Sequence, residues 1–401
     1  MSDLLWPGDH RAGDLFTDAS VVAAMIRVEQ AWLDALIERG LAEPSVATAL
    51  DGLAGPDDLP SLAVGAESGG NPLIPLLKLM RARLRGRNTA AVGWLHKGLT
   101  SQDVVDTALV LCLRDAAARI RVQLSAQISA LTRLAGEHRE TRMAGRTLTQ
   151  HAIPITFGLK AAGWLTGVLD ARDTLAEAAR LPIQVGGAAG SLAAPVALAG
   201  DPVTARELVE TAARNLDLPP REPWHTSRAP LTRIGDAFTT CTDAWGRIAN
   251  DVLIGSRPEV RELIEGAAEG KGGSSAMPNK QNPVHAVLIK RAAIAGPPLA
   301  ATLHAASAAA VDERPDGSWH VEWATLRALS RRTLTAASQT AELLSGLVVE
   351  SGRMLATLHG ARPGIDAEQL SITPGVTPDH HPYLGATDEI IDAVLARAER
   401  R

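Results

Sequence analysis

No glycine or proline interrupts the chain from Val104 until Gly136. Within that stretch Leu113, Ala117, Ile120, Leu124, Ile128, Leu131 and Ala135 recur at threes and fours, the spacing of one helix face. A helix from Val104 to about Glu137 spans roughly 50 Å at 1.5 Å per residue. Four further long stretches read the same way: 155–180, 230–254, 283–310 and 318–349. Pro297-Pro298 is expected to kink or break the fourth of these. No stretch sustains the alternation of a half-buried strand. Five such helices exceed what one small bundle needs. The chain is therefore expected to be all-α, a long-helix bundle completed by other subunits.

Shorter signals flank these helices. Residues 16–50 have helical periodicity with Asp18 as a plausible cap. A Pro/Gly-rich break covers 55–72, and a leucine-rich helix follows over 73–85. After Val349 the segment 360–383 is rich in Pro, Gly and Asp, and a last helix is expected over 387–400. The expected division is an N-terminal helical domain (1–103), a central long-helix domain (104–350) and a C-terminal domain (351–401).

The 401 residues are 46% hydrophobic, ample for a large core, but only 3% aromatic. Small side chains suit helices that approach closely. A formal net charge of -5 gives no support to nucleic-acid binding. Cys112 and Cys241 each sit in a helix-like apolar stretch and read as reduced core residues of a cytoplasmic protein. No signal peptide is evident, and no uninterrupted apolar run of membrane-spanning length appears.

The chemistry concentrates in the run 272–283, Gly-Gly-Ser-Ser-Ala-Met-Pro-Asn-Lys-Gln-Asn-Pro. Glycines let backbone N–H groups approach a ligand. Ser274 and Ser275 can donate, accept or relay a proton. Lys280 adds a positive charge, and Asn282-Pro283 is expected to cap and open a helix. Such a loop favours an anion, with a serine placed to move a proton beside it. The plainer reading is a Gly-Ser loop capping a helix.

Other constellations stand beside it. Thr100 and Ser101, within His96-Lys97-Gly98-Leu99-Thr100-Ser101-Gln102-Asp103, sit where their hydroxyls cap the longest helix. That helix start is also a carboxylate site. Arg146, Thr147, Leu148, Thr149, Gln150 and His151 read as a polar turn entering an apolar helix, with Arg146 open to a structural ion pair. His225 and Arg228 precede the third long helix, where they can bind a second carboxylate or be a capped helix start. Glu313-Arg314-Pro315 leads into Trp319 and Trp323, four apart on one helix face and read as packing. His380-His381 with Asp379 lacks partners at zinc-like spacing, so no metal is expected. No cofactor motif is present.

The run 273–283 resembles the signature of the fumarase/aspartase superfamily. The resemblance covers nearly the whole chain. Thr100 to Thr107 resembles the superfamily's first conserved region, and His96 matches a histidine near the site. Residues 145–160 resemble its second region, where lyases carry a histidine that protonates a leaving nitrogen. Leu148 stands there instead. Leu148 with Gln150, the run 157–164, residues 186–192, Pro223 to Arg228 and Glu313-Arg314 resemble the 3-carboxy-cis,cis-muconate cycloisomerase family, which also has leucine there. Family members usually carry a longer C-terminal domain than 351–401.

That resemblance implies a homotetramer with active sites shared between chains, and a small tricarboxylate substrate with no cofactor. The implied reaction adds a carboxylate to a C=C bond, forming a lactone with proton transfer alpha to another carboxylate. Ser274 takes the acid/base role, and His151 orients or polarises substrate. His96, Thr100, Ser101, Gln102, Arg146, Thr147, Gln150, His225, Arg228, Ser275, Met277, Lys280, Asn282 and Arg314 are the expected substrate contacts. The alternatives are a related lyase releasing fumarate from a succinyl compound, or a non-catalytic structural relative.

Overall fold

The computed structural model describes residues 3–266, 272–273, 277, 281–376 and 383–400. Ser274, Ser275 and Lys280, like His380 and His381, lie outside the described residues. The helices are α1 (Asp18–Glu38), α2 (Leu59–Gly69), α3 (Leu73–Leu84), α4 (Thr89–Val92) and α5 (Ser101–Glu137). The strands β1 (Arg142–Thr147) and β2 (Gln150–Thr156) form an antiparallel hairpin. Helices α6 (Phe157–Ala178), α7 (Ala193–Ala199), α8 (Pro202–Asn215) and α9 (Ala229–Gly255) follow. A two-residue strand β3 (Leu263–Ile264) pairs with β4 (Val348–Val349), and α10 (Val284–Ala308) and α11 (Gly317–Ser345) lie between them in sequence. Helices α12 (Ser351–Ile372) and α13 (Thr387–Glu399) complete the order. The five long helices expected from periodicity are α5, α6, α9, α10 and α11.

The chain divides into two compact units. The first takes Met1–Ala118, Ala176–Phe238 and Pro297–Arg332; the second takes Arg119–Leu175, Thr239–Gly296 and Thr333–Arg401. In the first, Arg331 organises the N-terminal segment: its guanidinium holds both carboxylate oxygens of Asp9 and the carbonyls of Gly13 and Leu15. Helix α1 packs on α8, where Arg214 pairs with Glu38 at 2.6 Å. In the second, the buried Gln127 amide ties three helices, donating to Ala337 O at 2.8 Å and accepting from Trp245 Nε1 at 2.7 Å.

The small side chains are used as composition suggested. A Cβ at Gly246 would stand 2.5 Å from the Ala293 methyl, and one at Gly235 would stand 2.5 Å from Leu303 Cδ1. At Gly246 the helices would have to separate to admit a Cβ, whereas at Gly235 the Leu303 side chain would have to turn aside. Cys112 and Cys241 are buried, and burial pushes each thiol up to about 12.

Three local expectations are corrected. Thr17, not Asp18, caps α1, accepting from Ser20 N. Helix α10 is not broken at Pro297 and Pro298 but continues through both, which are exposed. The region 360–372 is helical, because Leu358 and Ile365 of α12 bury themselves with Ala144 of β1. That packing overrides the weak propensity of Gly360 and Gly364. Helix α10 is the one helix among the described residues long and apolar enough to cross a bilayer, with a third of its most apolar stretch buried. Lys290 and Arg291 interrupt that stretch, so it is not an unbroken apolar run.

Candidate active site

The candidate residues fall into two groups, one in each unit. In the first unit the start of α5 is built on Asp103. This fully buried carboxylate accepts four hydrogen bonds. Thr100 N gives one at 2.9 Å, closing the first turn as an acid at the third helical position does. Gly186 N and Gly187 N give two more, at 2.8 and 3.1 Å. His225 Nε2 gives the fourth, at 2.9 Å. One side chain thus pins the α5 start, the loop after α6 and the segment before α9. Gly186 must be glycine: a Cβ there would lie 2.7 Å from His225 Cε1 and 2.8 Å from Pro223 Cβ.

Beneath this lies a buried polar cluster. Arg228 is 1% exposed. Its Nη1 donates to Asp106 Oδ2 at 2.6 Å and to His225 O at 3.2 Å. Its Nη2 donates to Asp106 Oδ1 at 3.0 Å and Glu322 Oε2 at 2.6 Å, and its Nε donates to Glu322 Oε1 at 3.0 Å. All five guanidinium hydrogens are engaged, so none is left for a ligand. The expected carboxylate contact at Arg228 is replaced by an internal one. Burial works against the Arg228 charge, but Asp106 and Glu322 more than offset it and hold its pKa above the ordinary value. Burial pushes the Glu322 carboxyl up, Arg228 pulls it back, and Asp106 adds to the rise. Gln102 also belongs to the cluster, its amide donating to His225 O at 3.0 Å and Asp106 Oδ2 at 3.2 Å. His225 is 3% exposed, with Nδ1 unpartnered. Trp319 Nε1 donates to Asp106 Oδ1 at 2.8 Å, so this tryptophan has a polar role besides its edge-on packing with Trp323.

Above the cluster, Arg314 Nη2 donates to the Thr100 hydroxyl. Half-buried Ser101 opens the helix. His96 stands just upstream with Nδ1 at 2.7 Å from Glu29 Oε1. The structure therefore brings His96, Thr100, Ser101 and Arg314 to one helix start, and places Gln102, His225 and Arg228 underneath as its support.

In the second unit the expected polar turn is the β1–β2 hairpin. Leu148 and Thr149, at φ 49° and 71°, form its two-residue loop, and such loops favour left-handed residues. A bulge in β2 opposite Gly145 shifts the register between Ala144 and Arg146; a Cβ at Gly145 would meet Ile153 O at 2.8 Å. Thr147, Gln150 and His151 are exposed, and Leu148 is 96% exposed. Arg146 is different. Both its terminal nitrogens meet the buried Glu262 carboxylate at 2.8 Å, so it is the structural ion-pair partner rather than a free ligand contact.

Two residues beyond Glu262 in β3, and then Glu265, lead to α10. Glu265 accepts from His285 N at 2.9 Å and Ala286 N at 3.2 Å. A carboxylate does sit at this helix start, as the electrostatics predict, but it is the chain's own. Asn282, expected to cap, instead donates from both its backbone and its side chain to Gly272 O, at 2.8 and 3.2 Å. Gly272 adopts φ 72°, and a Cβ there would meet Gln281 Oε1 at 2.7 Å. Met277 is half exposed, at 53%.

Sequence reasoning missed the acids. Asp103 was findable, three residues after Thr100 in a capping pattern. Glu29 was findable as the acid on an apolar face. Glu265, Glu262 and Glu322 had no local signal, because their partners lie far away in sequence.

A mostly helical chain with an α5 start of this kind and the glycine-serine run 272–275 in its sequence is a lyase of the fumarase/aspartase type. The lyase family model matches residues 72–295, and the chain belongs to that family. It is 44% identical over 366 residues to a nitrosuccinate lyase of Streptomyces davaonensis, covering 89% of this chain and 77% of that one. It is 40% identical over 317 residues to a 3-carboxy-cis,cis-muconate cycloisomerase of Bradyrhizobium diazoefficiens, covering 78% and 69%. The crystal structure of the 3-carboxy-cis,cis-muconate lactonizing enzyme from Pseudomonas putida matches with a TM-score of 0.84 at 33% identity, covering 97% of this chain and 85% of that one.

Proposed function

We propose that the chain lactonises 3-carboxy-cis,cis-muconate to a carboxymuconolactone, as a cytoplasmic homotetramer with shared active sites and no cofactor. One substrate carboxylate adds across a C=C bond, and a proton goes to the carbon alpha to another carboxylate. The observation that carries this reading is the match to the Pseudomonas putida lactonizing enzyme over 97% of the chain.

The intermediate holds extra negative charge on the carboxylate beside the carbanion. Preorganised donors at the α5 start, with the Thr100 hydroxyl held by Arg314, stabilise that charge. Donors at the α10 start do not, since Glu265 already takes them. Ser274 delivers the proton, and Lys280 adds positive charge. His151 orients substrate from the hairpin. Holding the two reacting ends together supplies the orientation.

A second reading is favoured by the 44% identity to a nitrosuccinate lyase. Removing a proton alpha to one carboxylate of nitrosuccinate, with departure of nitrite, leaves fumarate. Nitrite departs as a stable anion and needs no proton from the enzyme. Leu148 therefore speaks against release of an amine, but it fits both readings.

Purified protein offered each substrate separately decides between them. The expected result is loss of the muconate ultraviolet absorbance with no nitrite from nitrosuccinate. Nitrite and fumarate release with muconate unchanged would replace the first reading by the second. Inertness toward both would favour a non-catalytic relative.

A further inference from the structure

Glu29 is the one charged side chain among the buried residues of α1. Its neighbours on that face are apolar, Met25, Trp32 and Leu33 among them. The Glu29 side chain is wholly buried, with Oε1 at 2.7 Å from His96 Nδ1 and Oε2 without a partner. A buried carboxylate with one hydrogen bond is a standing cost to the fold, and an apolar residue would pack there more cheaply. Three residues on, Trp32 Nε1 donates to Lys97 O at 2.8 Å. Residues three apart share a helix face, so α1 grips the His96-Lys97 turn with two adjacent side chains.

The turn itself is strained. His96 adopts φ 64°, a left-handed conformation that costs about 1–2 kcal/mol for a residue with a Cβ. Such strain persists where the surroundings over-determine it. The His96 side chain keeps 14% of its surface exposed, so its ring is not sealed in. Four residues later the turn reaches Thr100, whose hydroxyl Arg314 holds.

We propose that Glu29 is a positioning residue acting through His96. The carboxylate accepts from Nδ1–H, keeps the proton on that nitrogen, and leaves Nε2 as the nitrogen available to a ligand at the α5 start. Neutral His96 then offers Nε2 as an acceptor, and charged His96 offers it as a donor. The effect on turnover rests on the lyase-family reaction proposed above; the effect on the ring does not.

The test uses full-length protein labelled with 15N-histidine, with H96Q identifying the His96 signals. Wild type is expected to show Nδ1 protonated. E29Q, whose amide can donate or accept, should show mixed tautomers. On whichever substrate is turned over, E29Q should lower kcat about tenfold with KM little changed, and should add nothing in an H96Q background. Unchanged His96 signals in E29Q overturn the proposal. So does an equal loss of kcat with and without His96, which marks a purely structural role. Should E29Q fail to fold, E29L, which removes the acceptor and suits the apolar face, is read in its place, and an unaltered spectrum there is equally fatal. If neither substrate is turned over, the spectra alone decide.

Discussion

Ser274 and Leu148 carry opposite burdens. If Ser274 moves the proton, Ser274→Ala should cut turnover at least ~10²-fold with circular dichroism unchanged, and Ser275→Ala should cost less. Full activity in Ser274→Ala would refute the proton-transfer assignment. Leu148→His should slow turnover without creating amine-lyase activity, because one added imidazole lacks a site preorganised around it. Assay with adenylosuccinate and argininosuccinate checks this. Arg228 is a different kind of residue. Removing it strands Asp106 and Glu322 in the core, so Arg228→Ala should cost about 3–5 kcal/mol in a urea melt. A variant that lost activity but kept its stability would restore Arg228 as a substrate contact.

The long helices were legible in the sequence because burial imposes a period, and α5, α6, α9, α10 and α11 each repeat it several times over. Elements fixed by distant packing were not. The β1–β2 hairpin was hidden by Gly145 and Pro154, by its short length and by a Leu-Thr loop without the usual turn residues. Helix α12 was hidden by its glycines, since Ala144, which buries Leu358 and Ile365, comes from the hairpin. The site divides in the same way. The sequence pointed to the helix start at Thr100 and Ser101, while the acids beneath and beside it needed the fold. Gly158 tests the packing of one element directly. A Cβ there would stand 2.7 Å from Ala135 O and 2.8 Å from His138 O, both backbone atoms that cannot swing aside. Gly158→Ala should therefore cost about 1–3 kcal/mol in the same melt; a neutral result would mean that α6 shifts freely at its start.

Helix α10 leaves Val287 and Ile294 exposed, at 51% and 66%. An apolar face of that kind calls for cover, and a second copy of the chain is the cover we propose. Light scattering at micromolar concentration should report a tetramer, and a monomer would also undermine shared active sites. The hairpin tip has a consequence of another sort. Leu148 stands almost wholly outside the chain's own packing, while Arg146 and Glu262 anchor the hairpin nearer its base. Replacing the side chain at 148 removes nothing that holds the fold, so most substitutions there should shift stability by no more than about 0.5 kcal/mol. A lineage carrying this scaffold is free to vary that position by drift while the rest of a new site accumulates around it, without first having to survive an unstable ancestor.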